Sequence, residues 1–414
     1  MPANEELVKK RMRKEGGAPA KQSGNSAAKK STKAESKPTK AAAPKAAPVA
    51  AAAPQLKKKE KQAPVVNNKR GVMLFAGTYH SVLAGLVYRE TVEGEHKILL
   101  KFSVKNHIGC VNSVATRGKY IASAGSDERI FLFNHKDSFQ QISDLGTLAP
   151  ASEVRVMKFP DQHHLVCGCE DGSIGVYKTR TWDPISVLPV HEKAVLDMAI
   201  HPSGLIAVSI GADRMVALLD MERGKLITKL KVPKVVPHAV MFNPEASHFA
   251  VALPFDIYFY STLEAKQVSA AKVTPQPPNE IHSVIFLPDD SGCLIGCENA
   301  TFRFLPKAQY ALDAPADKSV PVPTAEFQAV DVELLPVPSE AQLASGEKKK
   351  HGVHQTRIKC MQHCNGILFS SDSDGVVCAW HVEKSSTSES GLKLKQLCGI
   401  RCGGRITNLT ATPR

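Results

Sequence analysis

The chain has 414 residues, 43% of them apolar, which is enough to bury a substantial core. Its formal net charge of +13 sits in one place: residues 1–70 hold 18 Lys/Arg against 5 Asp/Glu, and the remaining residues hold 35 of each sign. The basicity therefore belongs to a terminal segment, which excludes a uniformly basic folded surface, and no apolar run is long enough to span a bilayer.

Residues 1–70 are expected to be a disordered tail. "KQSGNSAAKKSTKAESKPTKAAAPKAAPVAAAAP" is Ala, Lys, Pro and Ser without an aromatic, and such a segment cannot bury enough apolar surface to offset its chain entropy. Its polar, charged start is not the layout of a signal peptide, so a soluble intracellular protein is expected. Two clusters stand out, "VKKRMRK" with Lys9, Lys10, Arg11, Arg13 and Lys14, and "LKKKEK" with Lys57, Lys58, Lys59 and Lys61. The plain reading is a solvated tail. The functional readings are nuclear import and contact with RNA phosphates, the latter non-specific and salt-sensitive because no aromatic is available to stack on bases.

From residue 71 onward one plan repeats. "MLFAGTYHSVLAGLVY" (73–88), "IASAGSDERIFLF" (121–133), "LVCGCEDGSIGVY" (165–177), "IAVSIGADRMVALL" (206–219), "FAVALPFDIYFY" (249–260), "CLIGCENATFRF" (293–304) and "ILFSSDSDGVVCAW" (367–380) each read as strand, tight polar turn, strand. The turn positions His80, Asp127, Asp171, Asp213, Asp256 and Asn299 lie 42 to 47 residues apart, and Asp374 follows after 75. The long gap holds a Pro-rich insertion, 305–356, in which "EFQAVDVELL" (326–335) is expected to be the outer strand of the sixth unit.

A short leading strand precedes six of the seven hairpins: 110–116, 154–159, 195–200, 238–242, 281–286 and 357–362. The first hairpin has none. "RITNLTAT" (405–412), near the end of the chain, matches the leading strand and follows the last hairpin. A lone strand would leave its backbone groups unpaired, so it is expected to supply the missing leading strand of the first unit by closing a ring. Strands at a period of 40–45 residues predict a β-propeller. The expected architecture is all-β: a disordered basic tail (1–70) and a seven-bladed propeller (71–414) closed by its C-terminal strand.

Three units carry His, Ser and Asp at matched spacing: His107/Ser123/Asp127, His191/Ser209/Asp213 and His354/Ser370/Asp374. This is the residue set of a serine hydrolase, but nucleophilic chemistry needs one such site with an oxyanion hole, not three around a ring. Buried hydrogen-bonded networks that fix the turns are the stronger reading, with Trp380 as a fourth member in the last unit. No metalloprotease, P-loop, nucleophile-elbow or dinucleotide motif is present, so no catalytic residue and no cofactor is expected. The pairs Cys293/Cys297, Cys360/Cys364 and Cys398/Cys402 share C-x₃-C spacing. They lie in strand-like apolar runs rather than tight turns, and buried free thiols are expected rather than a metal site.

The units resemble WD repeats, although the Trp-Asp pair is degenerate: His381 follows Trp380. In WD-repeat proteins a His, Ser/Thr, Asp and aromatic network is structural. More closely, "FAGTYHSVLAGLVY", "SAGSDERIFLF", "HHLVCGCEDGSIGVY" and "HPSGLIAVSIGADRMVALLDMERGKLITKLK" resemble the p21-activated-kinase-interacting protein family, over most of 73–304 and the last blade. The fungal members are ribosome-assembly factors required to maintain killer virus. The resemblance implies a nucleolar scaffold for the large (60S) ribosomal subunit that docks pre-60S proteins. A monomeric subunit of a larger complex with no membrane partner is expected, and contact with ribosomal RNA is an expectation from the charge of the tail, not from the resemblance. It also carries an alternative, a signalling adaptor that binds and inhibits p21-activated kinase. The basic tail and the insertion depart from the family pattern.

Overall fold

The computed structural model describes residues 71–413, apart from 92–93, 136–141, 149–151, 233–234, 273–278, 311–328, 336–353, 387 and 389. The tail expected over 1–70, with its clusters at 9–14 and 57–61, lies outside the described residues.

Seven sheets form, each built on four antiparallel strands, and they are the blades of a β-propeller. Five of them take their four strands in chain order, blade 1 borrows its inner strand from the chain's end, and blade 7 carries a fifth strand. Blade 4 shows the plan: Val195–Ile200 is innermost, followed by Ile206–Gly211, Met215–Asp220 and Lys225–Lys231 at the outer edge. The first three strands are covered on both faces by neighbouring blades, so they read as near-continuous apolar runs. The outer strand is half in water: Pro184–Pro189 in blade 3 alternates exposed and half-buried residues along its second half, as Lys225–Lys231 does in blade 4. Each blade thus gains a fourth strand in a stretch that lacks the apolar run of the hairpins.

Seven apolar clusters are found among the described residues, one at each joint between adjacent blades. The core is therefore a ring of wedges rather than one central mass. Blade 1 is completed by the chain's end. Ile406–Pro413 pairs antiparallel with Val72–Thr78, from Val72 opposite Pro413 to Thr78 opposite Ile406. Ile406 and Leu409 are fully buried in the joint between blades 7 and 1, beside Leu74, Phe369 and Val377. Burial of two such side chains contributes roughly 3–6 kcal/mol to closure.

The insertion differs from expectation at one point. Residues 326–328 of the expected strand lie outside the described residues; of the described ones, only Val330–Asp331 joins blade 6, opposite Phe304 and Arg303 of Phe302–Pro306. Glu333–Leu335 crosses to blade 7 and pairs in parallel with Leu392–Arg401 as a fifth strand. Buried Val332 is the pivot: its N–H donates to Phe302 O, and its side chain packs with Trp380 and Leu394 of blade 7. The stretch expected to be one outer strand thus laces two blades together and covers an edge that would otherwise be unpaired.

Candidate functional site: the turn face

In each networked blade the inner strand begins opposite the end of the second strand. Val111 faces Gly125, Val195 faces Gly211 and Ile358 faces Asp372. The loop entering a blade and the turn between its second and third strands therefore share one end of the ring, the turn face. A left-handed residue follows the turn position in six blades: Ser81, Glu128, Gly172, Arg214, Ala300 and Gly375.

The three networks occupy this face. In blade 2, His107 Nδ1 lies 2.9 Å from Asp127 Oδ1 and Nε2 lies 2.9 Å from Ser123 Oγ. The Ile108 N–H donates to Asp127 Oδ2 at 3.0 Å, which holds the entering loop, and Phe131 stands edge-on to the imidazole at 4.7 Å. In blade 4, His191 Nδ1 is 3.1 Å from Asp213 Oδ1 and Nε2 is 2.9 Å from Ser209 Oγ, while Glu192 N–H donates to the same carboxylate. A proton on Nδ1 toward the carboxylate leaves Nε2 to accept from the serine hydroxyl, so the neutral imidazole satisfies every partner. Burial pushes the His191 pKa down, against the opposing pull of Asp213. Burial pushes Asp127 up, but the His107 hydrogen bond and the N–H groups of Ile108 and Arg129 outweigh it and hold the carboxyl below its usual range.

Blade 7 departs from the spacing rule. His354 Nε2 is 2.6 Å from Ser370 Oγ, which also accepts the Trp380 indole N–H at 2.6 Å, but Nδ1 meets Asp372 Oδ2 at 3.1 Å. Asp374, expected in this role, keeps the turn position and is exposed. The reason is space. Asp372 stands where blades 2 and 4 have Gly125 and Gly211. A Cβ on Gly125 would meet His107 Nδ1 at 2.5 Å, and one on Gly211 would meet Asp213 Oδ1 at 2.5 Å. In blade 7 a side chain grows from that position and its own carboxylate fills the slot. Its other oxygen accepts from the N–H groups of Asp374 and Val376, tying down the turn. Blade 6 has a further variant: Asn279 and Asn299 are joined by two hydrogen bonds at the corresponding place.

Ser209 and Ser370 are fully buried and Ser123 is 1% exposed, so in this structure no substrate reaches these hydroxyls. What the networks do is fix the loops and turns that line the face. Glu280, His282 and Glu298 on the same face bring their donor atoms within 4.8 Å of one another. There His282 bonds Glu298, and the Arg357 guanidinium lies 3.8 Å from the same carboxylate, so Glu298 already has partners within the protein. All ten cysteines are free; burial pushes Cys297, Cys364 and Cys402 up to about 11 and Cys398 to about 12. Such thiols are poor ligands at neutral pH, since metals bind the thiolate. No helix among the described residues is long and apolar enough to cross a membrane.

Residues 182–220 match the family model "WD domain, G-beta repeat", which coincides with parts of blades 3 and 4. The fold is similar to that of Chaetomium thermophilum Sqt1, solved bound to the N-terminus of the ribosomal protein L10: TM-score 0.51, 14% identity, covering 78% of this chain and 88% of that one. Among sequences, the p21-activated protein kinase-interacting protein 1-like of Xenopus laevis is 25% identical over 83% of this chain and 82% of its own. Protein MAK11 of Saccharomyces cerevisiae is 25% identical over 40% of this chain and 44% of its own. Shk1 kinase-binding protein 15 of Schizosaccharomyces pombe is 31% identical over 74% of each. With that identity spread across most of the ring, the chain belongs to the p21-activated-kinase-interacting protein family of WD-repeat propellers.

Proposed function

We propose that this protein is a non-enzymatic scaffold for assembly of the large (60S) ribosomal subunit, acting in the nucleus and nucleolus as a monomeric subunit of a larger complex. The ring docks pre-ribosomal proteins, and the basic residues of 1–70 touch ribosomal RNA. The family resemblance implies the ribosomal role. The observation that carries it for this chain is the division of charge: the whole +13 lies in 1–70, beside a ring that is balanced at 35 against 35. A cationic arm on a neutral platform suits a factor that must stay near RNA while it holds protein. The enclosed serines support a docking role over a hydrolytic one.

A second reading has a specific observation in its favour. The Xenopus and Schizosaccharomyces relatives are named for interaction with, or binding to, a kinase. A kinase adaptor does not require the arm, and this separates the two readings. The test is affinity purification of the full chain and of a chain beginning at Lys69, with proteins read by mass spectrometry and RNA on a gel. Both forms should retain large-subunit assembly proteins, and the shorter one should lose nuclear enrichment and most of its RNA. In filter binding the full chain's RNA affinity should fall with salt at a slope of about −0.7 per neutralised phosphate on single strands. Recovery of a kinase without ribosomal material would establish the adaptor instead.

A further inference from the structure

The seven inner strands surround the ring axis, and their first residues form the mouth of the central channel on the turn face. Six of them carry a bulge there, and the extra residues are Thr407, Asn112, Arg155, Leu196, His282 and Lys359. A bulge leaves its residue out of the ladder and re-aims the side chain. Arg155 and Lys359 are exposed, as is Arg405, which stands just before the closing strand. Arg155 pairs with Glu170 at 3.0 Å. Lys359 and Arg405 have no carboxylate partner among the described residues. The inner strands are tied together at this end: Cys360 Sγ lies 3.7 Å from Thr407 O, and Thr407 Oγ1 donates to Val111 O, which sets Lys359 of blade 7 beside the start of the closing strand that Arg405 precedes.

Beside these cations lies exposed apolar surface. Tyr79 is 56% exposed and Ile108 is 80% exposed. The Arg405 guanidinium lies 5.9 Å from the Tyr79 ring centroid, and Tyr79 N–H donates to Arg405 O. Gly109 N–H donates to Ser81 Oγ at 3.0 Å, clamping the loop that carries Ile108 onto the turn that carries Tyr79. Both loops are held, so a ligand would meet a preformed surface at little ordering cost.

We propose that this mouth binds a short acidic peptide segment of a partner protein, with its carboxylates on Lys359 and Arg405 and an apolar side chain between Tyr79 and Ile108. The site deepens the docking role proposed above and rests on it. Tyr and Arg in a clamped, partly apolar patch are the composition of an interface anchor. A nucleic acid fits less well. Glu153, Glu170, Glu280 and Glu298 stand among the cations of this face and would repel a continuous phosphate backbone, whereas a peptide places its carboxylates selectively. Ile108 offers an aliphatic contact, which suits a side chain better than a base.

The test is fluorescence anisotropy of a short fluorescein-labelled peptide of Asp and Glu flanking one Phe, titrated with the full-length protein. The basic N-terminal residues are present in every arm, so differences between variants report the ring. Lys359→Glu with Arg405→Glu should weaken binding by about tenfold, and Tyr79→Ala by about threefold. Lys225→Glu with Lys229→Glu, the same charge change on the outer strand of blade 4, should leave affinity within about twofold. The altered residues are exposed, and matching melting curves establish that the variants fold; Lys359→Gln serves where the double reversal does not. Equal weakening by the two reversal pairs would reduce the site to diffuse attraction and overturn it. So would loss of polyuridylate binding with peptide binding intact, which would mark a nucleic-acid groove. Purification separates this failure from that of the scaffold role. If the Lys359/Arg405 variant keeps every pre-ribosomal protein, the mouth is refuted and docking stands. If the unaltered chain recovers none, docking fails, and the peptide titration still decides the mouth.

Discussion

Blades 4 and 5 are neighbours with the same strand plan, and they are held in different ways. Blade 4 carries His191, Ser209 and Asp213 in a closed network. In blade 5 the register of Ser209 is taken by Val251, and no such network forms among the described residues. Blade 5 is built from rings instead: Phe249 stacks on Tyr260 at 5.1 Å, and Phe259 stacks on Tyr310 at 4.2 Å. Its inner strand, Ala239–Phe242, is short and lacks the bulge. Their histidines differ accordingly. His191 has both nitrogens engaged, whereas His238, at the entrance to blade 5, buries an Nε2 with no hydrogen-bond partner among the described residues. What the two blades share is the apolar joint between them, with Val208, Ile210, Phe249 and Val251. The joint is the general requirement of the fold, and the polar network is a local device for holding a loop.

The most severe way to break this comparison is to remove a joint and keep the networks. Deleting 403–414 takes Ile406 and Leu409 from the joint between blades 7 and 1 and bares the edge of Val72–Thr78, while His354, Ser370 and Asp372 remain. Soluble yield should collapse and aggregation rise. A truncated chain that melts like the full one would mean that the networks, not the joints, carry the ring.

A smaller loss should follow from Phe259→Ala, which empties the joint between blades 5 and 6 beneath the Tyr310 ring. The expected cost is about 3–5 kcal/mol in urea unfolding. Blade 7 then sharpens the role of the networks. Asp372→Ala leaves His354 Nδ1 and two backbone N–H groups without an acceptor and should cost about 1–3 kcal/mol. Asp374→Ala, on an exposed turn, should change stability by less than about 0.5 kcal/mol. Equal costs for the two would restore the assignment that spacing alone suggests.

That pair also marks how far the sequence can be read. The hairpins and the closing strand are legible because continuous apolar runs and turn residues such as Asp127 and Asp213 are encoded locally. The outer strands are not: "PISVLP" and "KLITKLK" are half in water, and their residues resemble those of loops. Asp374 satisfies the Ser-to-Asp spacing, but the network depends on the empty volume over Gly125 and Gly211. The available signal was the residue between Ser and the turn Asp, glycine in two blades and Asp372 in the third. The channel mouth is hidden for another reason. Bulges set which residues reach it, and counting charges finds the ring balanced although Lys359 and Arg405 have no carboxylate partner among the described residues.

The smallest expected effect separates the two histidines. Burial, with His282 and Lys359 adding to it, pushes the His238 pKa down to about 4. The folded value lies below the unfolded one, near 6.5, so folding favours the neutral ring. The stabilisation is complete above about pH 6.5 and is lost as pH falls toward 4, because the unfolded chain binds the proton first. The loss should be of order 1–3 kcal/mol across that window, read from urea midpoints at several pH values. His238→Leu removes the titrating group and an unpartnered nitrogen together. It should flatten the acid limb and shift stability at pH 7 by less than about 1 kcal/mol. His191→Leu strands Ser209 and Asp213 and should cost about 1–3 kcal/mol at pH 7. If the same substitution costs as much in blade 5 as in blade 4, the His238 nitrogen has a partner that balances it, and the contrast between the blades reduces to their rings.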